Sequence, residues 1–259
     1  MNVLIALDFL LQAVETPVAG GTPIPDGTLV VSESGVQFPA LPEDAAPRPI
    51  NEDWELLYYE VSAGSREYFI RGEIRNTSPN PLETPTLSVT VAGVAQVGIH
   101  PDVNQVGPGE RAPFQYNVSD DEITAALNKA QDVEFTGVCE GYRVVPKLEF
   151  AWDIQNIEIE FDARREAVRV EGTVKNAGDA TAERYAPMLF GFTANGRYLG
   201  SIAAREVPDT IFGGDEFRFE MNHGFDSYYS KDPFQGAGRG ALFVLAMSTP
   251  VYASLNCVG

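Results

Sequence analysis

The sequence predicts an all-β protein made of two tandem β-sandwiches behind an extended N-terminal segment. The main observation is an internal repeat: residues 68–77, YFIRGEIRNT, return at 168–177 as VRVEGTVKNA. Further along, the turn 108–110 and Phe114 are matched by the turn 213–215 and Phe219. A period near 100 residues is too long for a solenoid unit and has the size of one small β-domain.

Length and composition fit this organisation. A chain of 259 residues is long enough for two such domains, which we place at 51–147 and 148–259, with 1–50 as a separate segment. The 15 Phe and 10 Tyr supply side chains for two cores. The junction around 144–148 is short, which predicts that the two domains form a fairly stiff rod.

The chain is strongly acidic, with 37 Asp and Glu against 18 Lys and Arg and a formal charge of −19. Such a field repels phosphate backbones and anionic lipid, so we expect no nucleic-acid binding and no membrane-surface binding. It favours solubility, cations or a basic partner, and a solvated acidic exterior explains it without any partner.

An apolar run at 3–14 opens the chain, and Asp8 interrupts it. The run is too short to span a bilayer, which needs roughly twenty residues. No basic residue precedes it, since the first is Arg48, so it is not a complete signal peptide. It is either the remainder of a longer export signal or a helix or strand that packs on something.

The rest of the N-terminal segment is rich in proline and glycine, which is typical of an extended tether. Within it, Leu29 and Val31, and then Val36 and Phe38, are apolar residues in strand-like stretches. Alternate apolar residues on an extended peptide suit the open edge of a sheet. We therefore predict that this segment docks as an added strand or apolar plug, onto a neighbouring subunit in a polymer or within the same chain.

The repeated motif is itself a strand. The even-numbered residues of 68–74 and 168–174 are apolar or glycine and the odd-numbered ones are mostly polar, which predicts one buried and one wet face. Gly72 and Gly172 should let a neighbouring chain or side chain, such as a tryptophan, approach closely. Asn76 and Asn176 should end the strand as turn formers.

Further strands are predicted at 87–91 and 188–192, at 114–118 and 217–221, and at 133–138 and 241–246. Asn195-Gly196 is the strongest hairpin signal in the chain. Six or seven strands per copy, with turns every ten to fifteen residues, predict immunoglobulin-like sandwiches. The expected core residues are Trp54, Ile70, Ile74, Leu87, Val89, Trp152, Val170, Val174, Phe190 and Phe219.

These motifs also carry a resemblance to a family. The order G-x-[IV]-[RK]-N, a hydrophobic strand, an Asn-Gly hairpin and a P-G-E turn before an F-x-[YF] strand resembles FxLYD-type immunoglobulin-like domains of prokaryotic cell-envelope proteins. The second copy fits better, through 189–192 and Asn195-Gly196, whereas the first lacks the Asn-Gly at 91–94. The resemblance covers about 52–259 and implies an exported accessory or interaction module. It carries over no active site, and the lipobox cysteine that would support an anchor is missing.

The first copy carries an insertion between Tyr116 and Val133. Ser119 followed by Glu122 is a capping box, and apolar residues follow at helical spacing, so a short helix is predicted at about 120–131. The matching part of the second copy is a loop with four aromatics: Phe225, Tyr228, Tyr229 and Phe234.

No residue pattern in the chain indicates catalysis, a metal site or a cofactor, so we predict a protein that is not an enzyme. The aromatic loop is the best candidate surface, because rigid rings bury much area at small entropy cost. It either contacts a partner, with sugar stacking as one form, or covers the open end of the sandwich as a lid. Cys139 and Cys257 either form a disulfide, which requires the chain end to return to the first repeat, or are two free thiols.

The sequence thus predicts an extracytoplasmic, cell-surface or secreted, structural or assembly subunit that acts through protein contacts, including contacts with copies of itself. The alternative is a ligand- or carbohydrate-binding module that uses the loop 225–234. A third hypothesis is that the chain is an accessory domain pair from a hydrolase.

Overall fold

In the computed structural model, residues 28–32, 37–63, 67–130, 132–138, 142–146, 150–162, 167–223, 234 and 241–250 are described. Strands dominate these residues, and a single short helix occurs among them. The prediction of an all-β sandwich fold is confirmed. The domain boundaries at 51–147 and 148–259 stay a prediction.

Among the described residues, the first half of the chain contributes ten strands and the helix. In order they are β1 (Thr28–Ser32), β2 (Arg48–Pro49), β3 (Trp54–Ala63), β4 (Tyr68–Asn76), β5 (Leu82–Glu83), β6 (Leu87–Val91), β7 (Ala95–Ile99), β8 (Gln105–Val106), β9 (Arg111–Val118), α1 (Asp121–Leu127) and β10 (Val133–Val138). The second half continues with β11 (Trp152–Asp162), β12 (Ala167–Asn176), β13 (Ala182–Glu183), β14 (Ala186–Phe192), β15 (Tyr198–Ala203), β16 (Thr210–Ile211), β17 (Glu216–His223) and β18 (Leu242–Ser248).

Both halves have the same strand order. In the first, β3-β4-β9 form one sheet, with β2 added beside β3, and β10-β6-β7 form the other. In the second, β11-β12-β17 correspond to the first sheet and β18-β14-β15 to the second, with β1 added beside β18. The short pairs β5-β8 and β13-β16 also match. The two repeated sequences therefore build the same sandwich twice.

All ten predicted core residues are buried, with at most 4% of their surface exposed. The two repeated glycines explain part of this packing. A Cβ at Gly72 would lie 2.3 Å from the carbonyl oxygen of Tyr58 and 2.6 Å from a ring carbon of Phe114. At Gly172 it would lie 2.8 Å from the ring of Phe219. A neighbouring chain and a side chain both approach closely, as predicted, and the side chain is a phenylalanine of the adjacent strand instead of a tryptophan.

The repeated asparagine is a buried structural residue in both halves. The Asn76 side-chain amide donates to the carbonyl oxygens of Asn80 and Val106, at 2.8 and 2.9 Å, and its oxygen accepts from the Ser78 N–H. Asn176 makes the corresponding bonds. Each side chain satisfies backbone groups of two loops, because buried backbone polar groups need partners. The motif that defines the repeat is therefore explained by folding.

The two sandwiches pack side by side, so the expectation of a stiff rod is wrong. Phe190, Phe192 and Tyr198 of the second half belong to the same buried cluster as the core of the first. The chain after β18 also returns to the first half, where the Asn104 N–H donates to the Thr249 carbonyl at 2.7 Å. A short junction limits the distance between two domains, but the apolar faces determine how they pack.

This packing covers one face that was predicted to be wet, and it places Phe190, a predicted core residue of β14, against the first half. On β4, Arg71 is 2% exposed and Glu73 is fully buried, although both lie on the predicted wet face. On β14, Phe190 is buried as predicted, but it faces the first half, whereas Leu189 faces its own core. Every residue of β14 is buried, and a strand covered on both faces loses the alternation that tells inside from outside.

The predicted helical insertion forms α1, shorter than the range 120–131. Asp120 caps it, because its carboxylate accepts from the N–H groups of Glu122 and Ile123, and Ser119 takes no part in that cap. In the described part of the chain, no helix is long and apolar enough to cross a membrane.

Candidate protein-interaction site

The N-terminal strand β1 is added to the edge of the second sandwich. It pairs with β18 in parallel, from Thr28 opposite Leu242 to Ser32 opposite Ala246. Leu29 and Val31 are half-buried and pack against the second core. Every other pairing among the described strands is antiparallel. β1 is therefore supplied from a distant part of the sequence to close an existing sheet.

The edge that receives β1 is regular and apolar. β18 pairs with β14 over seven consecutive residues without a bulge. The five residues from Phe243 to Met247 are each at most 3% exposed. Without a neighbour, such a strand would present unpaired backbone groups beside an apolar core, which is a template for pairing with another chain. β18 therefore requires an added strand.

The equivalent edge in the first repeat, that of β10, is closed by different means. The β10 ladder has a bulge between Phe135 and Gly137. The Tyr59 hydroxyl crosses from the other sheet and donates to the Val133 carbonyl at 2.9 Å. Glu134 and Thr136 are exposed on this strand. Bulges and charged residues are devices that protect an edge, so β10 needs no added strand.

Phe38, which lies between β1 and β2 in the sequence, packs in the interface between the two sandwiches. The Phe38 ring packs edge-on against Phe190, with centroids 5.2 Å apart, and lies 5.5 Å from Phe192. The Arg111 guanidinium lies 5.4 Å from the Phe38 ring and donates to the Pro39 carbonyl. Segment 38–39 is therefore held by aromatic packing and by a cation.

A buried network of polar side chains extends from Arg111 across the interface. Its guanidinium lies 3.1 Å from a carboxylate oxygen of Glu73. The other oxygen accepts from the Tyr58 hydroxyl at 3.0 Å, and that hydroxyl accepts from the Tyr198 N–H at 2.8 Å. Burial raises the pKa of Glu73 to about 7, against the lowering effects of Arg111 and Tyr58. Burial, followed by the charge of Glu73, also raises the pKa of Tyr58.

A second polar contact lies beside it. Asp102 accepts from the hydroxyls of Tyr198 and Ser201, the latter at 3.0 Å. Burial raises the pKa of Asp102 to about 6, while these two hydrogen bonds act in the opposite direction. At the rim, Arg197 pairs with Asp44 and Glu60. These hydrogen bonds and ion pairs join the two sandwiches to each other. Arg197 and Arg111 also attach residues 39–44 to them.

Four of the predicted partner-contact residues lie among the described residues. Leu29 and Val31 lie on β1, and Phe38 lies in the interface. Phe234 is fully buried and packs edge-on against Phe243 at 5.4 Å, so it is a core residue and not an exposed partner contact. This is the position that the lid alternative predicts. Four other aromatic or apolar positions and both cysteines lie outside the described residues: Val36, Phe225, Tyr228, Tyr229, Cys139 and Cys257.

Two kinds of site, a metal site and a sugar-binding cleft, can be tested on the described residues. Within the described ranges, no three His, Cys, Asp or Glu side chains come together as a metal site requires. A cleft of about 780 Å³ opens between residues 39–44 and 193–197, and none of its lining residues is aromatic. It therefore offers no ring on which a sugar could stack.

Sequence reasoning missed Tyr58, Glu73, Arg111 and Tyr198 as a group. A usable signal was the unbroken apolar run of β14, LFGF at 189–192, since a strand apolar on both phases needs covering on both faces. Compared with models of known protein families and with curated proteins, the chain matches none.

Proposed function

We propose that the protein is a non-enzymatic, extracytoplasmic structural or assembly subunit that acts through protein–protein contacts. The observation that carries this proposal is the addition of β1 to the edge of β18. Strand addition gives affinity through backbone hydrogen bonds and specificity through alternate side chains, here Leu29 and Val31. It is a way of joining polypeptides that needs no catalytic group.

Other features are consistent with this role. The halves share one continuous interface with apolar, aromatic and ionic contacts, which makes the molecule a rigid building block. The formal charge of −19 keeps such a block soluble and favours basic partners or cations. The extracytoplasmic location is proposed from the resemblance to FxLYD-type envelope domains.

The alternative, a carbohydrate- or ligand-binding module, has less support. Of its four aromatic residues, Phe234 lies in the core and the other three are outside the described residues. No observation on the described residues favours it.

Light scattering of the full chain tests the proposal. We expect the molar mass to rise above 28.2 kDa with protein concentration, and electron microscopy to show discrete assemblies. A monomer at every concentration and salt level tried, with no assemblies in the images, would contradict a role in assembly.

A further inference from the structure

We infer that the β18 edge is a strand-exchange site, and that its partner is β1 of a second copy of this chain. This inference rests on the proposed function and names the surface through which assembly occurs. The site consists of β18 from Leu242 to Ala246, and the incoming strand is Thr28–Ser32.

The first argument is that β1 is an interchangeable piece of the fold. β1 pairs with β18 alone, and its contacts with the second core are made by Leu29 and Val31. Four residues, 33–36, separate it from segment 37–50. A second copy can supply the same five residues in the same register, so the contacts are equal in both arrangements. Exchange of an identical element is a low-cost route to an assembly for this reason.

The second argument is specificity. β18 requires a neighbour because it is regular and apolar, whereas the bulge in β10 and the Tyr59 hydroxyl block the equivalent edge of the first repeat. Of the two equivalent edges, β18 is therefore the one that accepts the donor strand β1. Repeated one-way exchange produces an open chain of subunits, and mutual exchange produces a closed dimer.

The third argument is that the remainder of the segment stays on its own chain. Phe38 packs on Phe190 and Phe192, and Arg111 holds the Pro39 carbonyl. The donor strand is therefore presented from a fixed base. A short connection gives the chain's own β18 an advantage equivalent to a concentration on the order of millimolar, so exchange should increase steeply with protein concentration.

The face of β1 toward the first half offers a test by cross-linking. Val30 lies opposite Val244, and both are close to cysteine in volume. In a full-length chain with Cys139 and Cys257 replaced by alanine, and folding checked by circular dichroism, we would prepare V30C and V244C separately. A mixture of V30C with Q96C, which is exposed on β7, controls for random collisions.

After mixing at concentrations up to about 1 mM and mild oxidation, exchange predicts a covalent dimer whose joined peptides contain positions 30 and 244. The Q96C mixture should give no specific product. In addition, the double variant V30C/V244C, oxidised when dilute, holds β1 on its own chain and should lose assembly, which reduction restores.

The outcomes separate the two proposals. If the wild-type chain assembles but the mixture gives no dimer joined at 30 and 244, or the oxidised double variant still assembles, strand exchange is wrong and the proposed function stands. If the wild-type chain stays monomeric throughout, the proposed function itself fails.

Discussion

Replacing Glu73 by glutamine should remove a large part of the dependence of stability on pH. Glu73 is fully buried between the two sandwiches, and burial raises its pKa from the usual 4.5 to about 7. Because the folded protein holds this proton more tightly than the unfolded chain, its stabilisation is complete below about pH 4.5 and is lost as the pH rises through about 7.

The magnitude follows from the two pKa values. Each pKa unit corresponds to about 1.4 kcal/mol, so the free energy of unfolding should fall by roughly 2–3 kcal/mol between about pH 5 and pH 8 through this group alone. Asp102, with its pKa raised to about 6, acts in the same direction. Glutamine resembles the protonated carboxyl, so E73Q should show a flatter dependence and a smaller loss at alkaline pH.

Urea denaturation of the wild type and E73Q at both pH values measures the effect. E171Q, at an exposed position of β12, removes one negative charge without touching the interface and serves as the control. Equal pH dependence in the wild type and E73Q would refute the reasoning, since it would mean that Glu73 does not titrate as a buried group.

Three further predictions concern the repeated motif and the helix. G72A should lower the free energy of unfolding by about 3 kcal/mol or more, because its Cβ would meet the Tyr58 carbonyl. G172A should lower it by only about 1 kcal/mol, because the ring of Phe219 can move. Equal values for the two variants in urea melts would contradict this. N76A should cost at least about 2 kcal/mol by leaving buried backbone groups without partners, and a near-neutral urea midpoint would show that water replaces the amide. D120A should cost about 1 kcal/mol through loss of the α1 cap, a value that S119A should not reproduce.

The strands and the buried residues could be predicted because the information is local. Alternation along β4 and β12 identified Ile70, Val170 and their neighbours as core. The offset between the copies related the two Asn residues and showed that the same sandwich is built twice. The cap residue was misplaced by one position, since Ser119 and Asp120 are both good caps and only the backbone path selects one.

The added strand was predicted in kind, but not in its location. Leu29 and Val31 indicated a strand that docks on a sheet edge. Two edges of the same type exist, on β10 and β18, and a bulge with a hydroxyl from another sheet distinguishes them. Neither feature can be read from the five residues of β1, because both belong to its acceptor.

The sequence by itself determined two β-sandwiches and, for the repeated strands β4 and β12, the side that faces the core of its own half, because a period of two records one apolar environment. Only the tertiary structure decided what covers the opposite sides. Glu73 and Arg71 are polar, and yet the second sandwich covers them. The reason is that the sheet containing β14 is apolar on both faces, so each face needs a packing partner. Alternation reports how apolar a face is, and the chain-wide packing of faces decides which partner it meets.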